Sequence, residues 1–106
     1  MGSEISPERL WREFWVSLAS LLRSYTAAHG LNRKEQATVE LGEEKIIVRI
    51  GERWLRLDRT GCEVTWSREK ATNGTMQFTE DGKLKSKAGE EEMDMQAEAW
   101  ARELMQ

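Results

Sequence analysis

The chain contains few side chains that could carry out catalysis. It has one histidine, His29, one cysteine, Cys62, and one tyrosine, Tyr25, together with scattered carboxylates. A cysteine–histidine nucleophile would need its two side chains to converge, and nothing in the spacing of Cys62 and His29 indicates that they do. His29 directly precedes Gly30 at a predicted helix end, where an imidazole beside free carbonyl groups is a common cap. We therefore expect no catalytic residues and do not expect an enzyme.

Metal and cofactor sites are not indicated either. One histidine and one cysteine cannot supply the nitrogen and sulfur ligands of a zinc site. The acidic run 90–94 does not match a calcium-binding loop and is typical of a solvated helix start. The glycines at the predicted turns stand singly, without the spacing of a phosphate-binding loop. We therefore expect neither a metal nor a cofactor.

A group of apolar, cationic and polar side chains is predicted on the solvent-facing side of a β-sheet. Tryptophan is unusual on a protein surface, and tryptophan and arginine are enriched at the centres of protein interfaces. The leading hypothesis is therefore a non-catalytic interaction module that binds a protein partner, or a second copy of itself, through this face. The candidate binding residues are Ile47, Arg49, Trp54, Arg56 and Thr65.

Three other interpretations of the same residues remain open. The face could bind single-stranded nucleic acid, with Trp54 stacking on a base and Arg49, Arg53 and Arg56 near phosphates. A formal net charge of −3 weighs against that. The face could be an ordinary solvated surface with Trp54 packed under Arg49. The functional site could instead be a ligand pocket or small active site between helix and sheet, which would need an unfilled cavity lined by Tyr25, His29 or Cys62.

Length and composition favour one domain over residues 1–106. With 39% hydrophobic residues the chain is expected to fold, and it has no apolar run approaching the ~20 residues of a membrane helix. A lone cysteine and the absence of an apolar signal segment favour the cytoplasm. Residues 1–5 are expected to be disordered, and the start matches a permissive myristoylation pattern at Gly2 that a cloning scar would also produce.

A two-residue loop, Gly51-Glu52, is the strongest structural signal in the chain. Because glycine tolerates positive φ, we predict a hairpin over 45–58 in which Ile50 faces Arg53. Counting outwards from this loop then assigns every flanking residue to an apolar or a mixed face. The apolar pairs are Val48 with Leu55 and Ile46 with Leu57. The mixed pairs are Arg49 with Trp54, a predicted cation–π contact, Ile47 with Arg56, and Lys45 with Asp58.

Neighbouring turns extend this hairpin into a meander. A turn at 42–44 predicts Leu41 opposite Ile46 and Val39 opposite Val48. A turn around 59–62 is expected to set Leu57 against Val64 and Leu55 against Trp66, and to send Thr65 to the mixed face beside Arg56. Asn73-Gly74 is predicted to be the next turn, followed by a strand over 75–79 with Met76 and Phe78 inward.

The segment after residue 79 leaves two alternatives. Asp81-Gly82 is a good hairpin turn, but two-residue closure would place Leu84 opposite Thr79 on the polar side. A strand over 83–86 therefore either contains a bulge or does not form. A helix is predicted from about 88 to 105, starting at the acidic run, with one apolar face: Met93, Ala97, Trp100, Ala101 and Leu104.

The N-terminal helix is predicted over 7–29. Ser6 can cap it, Pro7 suits its first turn, and Gly30 ends it. Its apolar side chains cover a wide arc that can contact both a sheet and a second helix. The fold class is therefore α+β: an N-terminal helix, an antiparallel β-meander of four to five strands over 37–79 and a C-terminal helix, forming a two-layer sandwich with both helices on one sheet face. The tryptophans predicted in the core are Trp11, Trp15, Trp66 and Trp100.

Overall fold

The computed structural model describes residues 7–31, 34, 36–70 and 72–106. Helix α1 (Pro7–His29) precedes seven strands, and helix α2 (Met93–Leu104) follows them. The strands are β1 (Thr38–Leu41), β2 (Lys45–Ile50), β3 (Arg53–Thr60), β4 (Glu63–Arg68), β5 (Asn73–Phe78), β6 (Lys83–Ser86) and β7 (Gly89–Glu92). The predicted cap at Ser6, the predicted disorder of 1–5 and the Gly2 motif lie outside the described residues.

The predicted fold class is confirmed, but the strand count is wrong. All seven strands form one antiparallel sheet in sequential order from β1 to β7, rather than the four to five strands expected. Both helices contribute to the same hydrophobic core as the inner face of this sheet. The opposite face, the outer face, therefore has no helix over it among the described residues.

The β2–β3 hairpin has the predicted register at every position. Ile50 pairs with Arg53, and the pairs outwards to Lys45 and Asp58 follow as expected. Gly51 has φ of 58°, the positive value that the two-residue loop requires. The predicted β1–β2 register is also confirmed, with Leu41 opposite Ile46.

The predicted β3–β4 register is wrong by two residues. Leu57 pairs with Trp66 rather than Val64, and Leu55 pairs with Arg68 rather than Trp66. The hairpin closes in two residues, 61–62, because Gly61 adopts φ of 60°. Strand β3 consequently extends to Thr60, and a shift of two keeps every side chain on its predicted face.

The prediction of a turn at Asn73-Gly74 is also wrong, since both residues belong to β5. Ser67 pairs with Asn73 and Trp66 pairs with Gly74, while the chain reverses just before them with the Arg68 N–H donating to the Thr72 carbonyl at 2.9 Å. Sheet pairing outweighs the turn preference of this dipeptide here because Gly74 leaves room for the indole of Trp66.

The C-terminal part adds two strands: β6, which the sequence left open, and β7, which was not predicted. Leu84 pairs with Phe78 rather than Thr79, because the loop 80–82 has three residues and Gly82 takes φ of 82°. The predicted helix start near 88 is wrong. Residues 89–92 instead pair with β6, which places Glu92 opposite Lys83 and Glu90 opposite Lys85, so cross-strand charge pairs favour the strand.

The core lies between the helices and the inner face of the sheet. Trp15 and Trp100 are buried, and Trp11 and Trp66 are half-buried against them, as expected for core tryptophans. All five residues predicted for the apolar face of α2 are buried. Neither helix within the described residues has the length and apolar character needed to span a membrane.

Candidate interface on the outer sheet face

A depression of about 400 Å³ lies on the outer face beside the β2–β3 loop. Gly51 and four of the five candidate binding residues line it. We call these four the outer-face patch: Ile47, Arg49, Trp54 and Arg56. The confirmed β2–β3 register creates the patch, because it places Arg49 opposite Trp54 and Ile47 opposite Arg56 on one side of the ribbon.

Trp54 is half-buried and is held through its main chain. Its backbone N–H donates to Glu69 Oε1 at 3.2 Å, and the same oxygen accepts a bond from Arg68 Nε at 3.2 Å. Burial alone would raise the pKa of the Glu69 carboxyl, but hydrogen bonds from its own backbone, Arg68 and Trp54 outweigh burial and lower that pKa. A charged carboxylate therefore fixes the main chain at Trp54.

The two arginines of the patch differ in how their charges are compensated. Arg56 forms a bidentate ion pair with Asp58, with nitrogen–oxygen distances of 2.9 and 3.3 Å. Arg49 is exposed and has no ion pair within the part of the chain that the structure describes. The predicted cation–π contact between Arg49 and Trp54 is not present among the described residues, where Arg59 instead lies 6.0 Å from the ring centroid of Trp15. Among the described residues, the positive charge of Arg49 is thus uncompensated.

Thr65 and Arg53 lie away from the depression. Thr65 pairs with Asp58 rather than Arg56, as a consequence of the β3–β4 shift, and does not line the depression. Arg53 pairs with Ile50, an inner-face residue, and its Nη1 donates to the carbonyls of Leu104 and Gln106 at the end of α2, at 3.1 Å to Leu104. Arg53 therefore caps a helix rather than contributing a cation to the outer face.

The three side chains that could carry out catalysis do not lie together at one site. His29 Nε2 lies 2.8 Å from Glu98 Oε2 across the two helices. Tyr25 donates its hydroxyl to Asp94. That hydrogen bond raises the pKa of Tyr25, with burial and the charges of Asp94 and Glu98 acting in the same direction. Cys62 has a free thiol and packs against the core at the β3–β4 turn.

Two cavities lie beside α1, and their lining differs from the residues considered for a ligand pocket. One of about 470 Å³ and one of about 360 Å³ border α1 and β1, and neither is lined by Tyr25, His29 or Cys62. Among the described residues, no three His, Cys, Asp or Glu side chains are grouped so that they could hold a metal ion.

A buried arginine, Arg59, is the main residue that sequence reasoning missed. Its side chain is 4% exposed and lies 2.9 Å from the Glu8 carboxylate, through Nη2. It also donates to the carbonyls of Gly61 and Glu43 at 2.9 and 3.4 Å. The signal that could have identified it is the glycine at 61. A two-residue loop at Gly61-Cys62, like the one at Gly51-Glu52, keeps Arg59 within β3 and on the inner face.

No protein-family model, curated protein or solved structure matches this chain. We therefore infer its function from the chemistry of the described residues.

Proposed function

We propose that the protein is a non-catalytic interaction module that binds a protein partner through the outer-face patch. The observation that carries this proposal is the exposed Arg49, without an ion pair among the described residues, beside Trp54 and Ile47 around one depression. Tryptophan and arginine at the centre of a patch are the residues that most often dominate binding energy. The expected cytoplasmic location of the module follows from the unpaired Cys62.

The chemistry of the patch defines the partner. Arg49 favours a carboxylate, which can accept a charge-assisted hydrogen bond from its guanidinium. Trp54 and Ile47 favour an apolar side chain next to that carboxylate, because it would exclude water from the contact and so strengthen it. We therefore expect a partner segment with an acidic residue flanked by an apolar or aromatic one.

A selection from a phage-displayed library of random peptides tests this proposal. We expect the wild-type protein to enrich peptides that combine an acidic residue with a neighbouring apolar one. Arg49→Glu and Trp54→Ala should each weaken binding of these peptides about tenfold or more, since both remove central contacts. Thr65→Ala is the matched control on the same face and should bind them normally. Equal binding by Trp54→Ala and wild type would place the peptide site elsewhere and overturn the proposal.

Single-stranded nucleic acid is the alternative ligand for the same patch, and a labelled oligothymidine separates the two. Arg53 is engaged at the end of α2 and Arg56 with Asp58, so Arg49 is the one patch arginine with no partner in the described chain. We therefore expect no oligothymidine binding that depends on Trp54. Binding that weakens steeply with salt and is lost in Trp54→Ala would instead favour the nucleic-acid function.

A further inference from the structure

The two edges of the sheet differ in how they are protected. Strand β7 carries three consecutive exposed glutamates, Glu90 to Glu92, and a charged edge strand discourages pairing with another chain. Strand β1, at the other edge, has a single charged residue, Glu40, and its four residues are exposed or half-exposed. In the described chain, β1 pairs only with β2. The β1 edge is therefore the one available for strand pairing.

The backbone of β1 directs groups outwards at this edge that do not bond to β2. The Gly42 N–H donates to the Lys45 carbonyl at 2.7 Å, so residues 42, 40 and 38 direct their backbone bonds towards β2. By the alternation of antiparallel ladders, the N–H and C=O groups of Val39 and Leu41 then point outwards. The position of Arg23 agrees with this, because its Nη2 lies 3.5 Å from the Val39 carbonyl.

Apolar side chains lie beside these outward-pointing groups. Leu41 is 39% exposed although it belongs to the inner face, and Val16 on α1 is 51% exposed. Both border the cavity of about 360 Å³ between α1 and β1. The Trp15 indole N–H donates to the Gly42 carbonyl at 2.9 Å and so fixes the helix against the end of the strand. An apolar surface therefore lies directly beside the unpaired edge.

The two ends of this edge carry opposite charges. Arg23 lies beside Val39 at one end, and Glu43 borders the Leu41 cavity at the other, where the neighbouring Arg12 is already paired with Glu8. Neither Arg23 nor Glu43 has an ion pair with another described residue. A second copy laid antiparallel along β1 would bring each Arg23 towards the opposite copy's Glu43, so the edge is complementary to itself.

We propose that the β1 edge is a homodimer interface, in which two copies pair antiparallel about a two-fold axis near Leu41. Leu41 then meets Leu41 of the second copy, and the exposed Val16 side chains are covered. Glu43 of the second copy, in the turn that follows its β1, then comes next to Arg23 at each end of the interface. A second copy is favoured over an unrelated strand because symmetry supplies both charge pairs at once. The interface is separate from the outer-face patch, so the two proposals can fail independently.

Sedimentation equilibrium of the full chain over a wide concentration range tests the dimer. We expect wild type to associate reversibly to twice its monomer mass. Leu41→Lys should raise the dissociation constant about tenfold or more, because it places two like charges at the axis. Met95 is the matched control: it is also apolar and 56% exposed, but lies on α2, so Met95→Lys should associate like wild type.

A charge exchange between Arg23 and Glu43 tests whether the two copies meet as proposed. Arg23→Glu and Glu43→Arg should each weaken self-association, since each creates two repulsive contacts. Mixing these two variants should restore dimers, because every contact in the mixed pair is again between opposite charges. Both residues are exposed and neither change enters the core, and circular dichroism would verify the fold of each variant.

Three results would overturn the proposal. A monomer at all concentrations would exclude the dimer. A dimer that resists Leu41→Lys but dissociates in Trp54→Ala would place self-association on the outer face. A dimer in which the mixed charge variants remain monomeric would exclude the proposed two-fold arrangement.

Discussion

The indole of Trp66 lies directly over the backbone of Gly74. The two residues pair across β4 and β5, and a Cβ built on Gly74 would be 2.7 Å from Trp66 Nε1. Trp66 also lies 6.5 Å from Trp100 of α2, measured between ring centroids. The glycine therefore allows a tryptophan to lie close to the sheet and reach the helix above it.

Gly74→Ala should destabilise the protein by about 1–3 kcal/mol, the usual range when a core is overpacked. The added methyl group must displace Trp66, which also packs near Trp100. Urea unfolding would measure the change. Gly42→Ala is the matched control, because its closest contact would be 3.4 Å and its loss of stability should be much smaller. Equal stability of wild type and Gly74→Ala would contradict this role of the glycine.

Arg59→Ala should cost about 2–4 kcal/mol of unfolding free energy, as for other large buried side chains. The change removes a side chain that packs near Trp15 and bonds to Glu8 and two carbonyls. Arg56→Ala provides the comparison on the same strand, since Arg56 is about half exposed and its pair with Asp58 should contribute less than about 1 kcal/mol. Similar losses in the two variants would show that Arg59 contributes no more than a surface arginine.

The Glu8–Arg59 pair should also make stability depend on pH in acid. The hydrogen bond from Arg59 lowers the pKa of Glu8 below its ordinary value of 4.5, outweighing an opposing effect of burial. Because the folded-state pKa is lower, the contribution of Glu8 is present above pH 4.5 and is lost as the pH falls through the lowered value. Glu8→Gln should therefore be less stable than wild type at neutral pH, and the difference should shrink in acid. A difference that does not vary with pH would contradict this linkage.

The pairing of β1 to β3 could be predicted because alternation and loop length agree there. A slip of one residue would exchange the faces, so the apolar pattern excludes it. A slip of two residues leaves both faces unchanged, and the alternation of 55–66 therefore could not distinguish Leu57–Val64 from Leu57–Trp66. The choice depends on the loop at Gly61. The outer-face patch could be predicted because all its members lie on β2 and β3, whose register the loop and the apolar pattern determine together. The residue opposite Thr65 could not, because it depends on the β3–β4 register.

The last two strands, β6 and β7, could not be predicted for a different reason. Residues 89–92 have no apolar alternation, and an acidic run favours a helix N-terminus as well as pairing with lysines. The decisive partners, Lys83 and Lys85, are available only if 83–86 is already a strand. That strand in turn depends on a three-residue loop that places Leu84 opposite Phe78. Each assignment thus required a tertiary contact that the local sequence does not specify.

Trp54→Ala should separate the function of the outer face from the stability of the fold. The link of Trp54 to Glu69 uses the backbone N–H, which alanine retains, and its half-buried indole lies on the face opposite the helices. We expect a loss of about 1 kcal/mol or less, whereas Trp15→Ala in the core should cost about 3–5 kcal/mol. Thermal unfolding of both variants would measure the contrast. A loss in Trp54→Ala as large as that in Trp15→Ala would make Trp54 a structural residue, and its effect on peptide binding would then no longer support an interface.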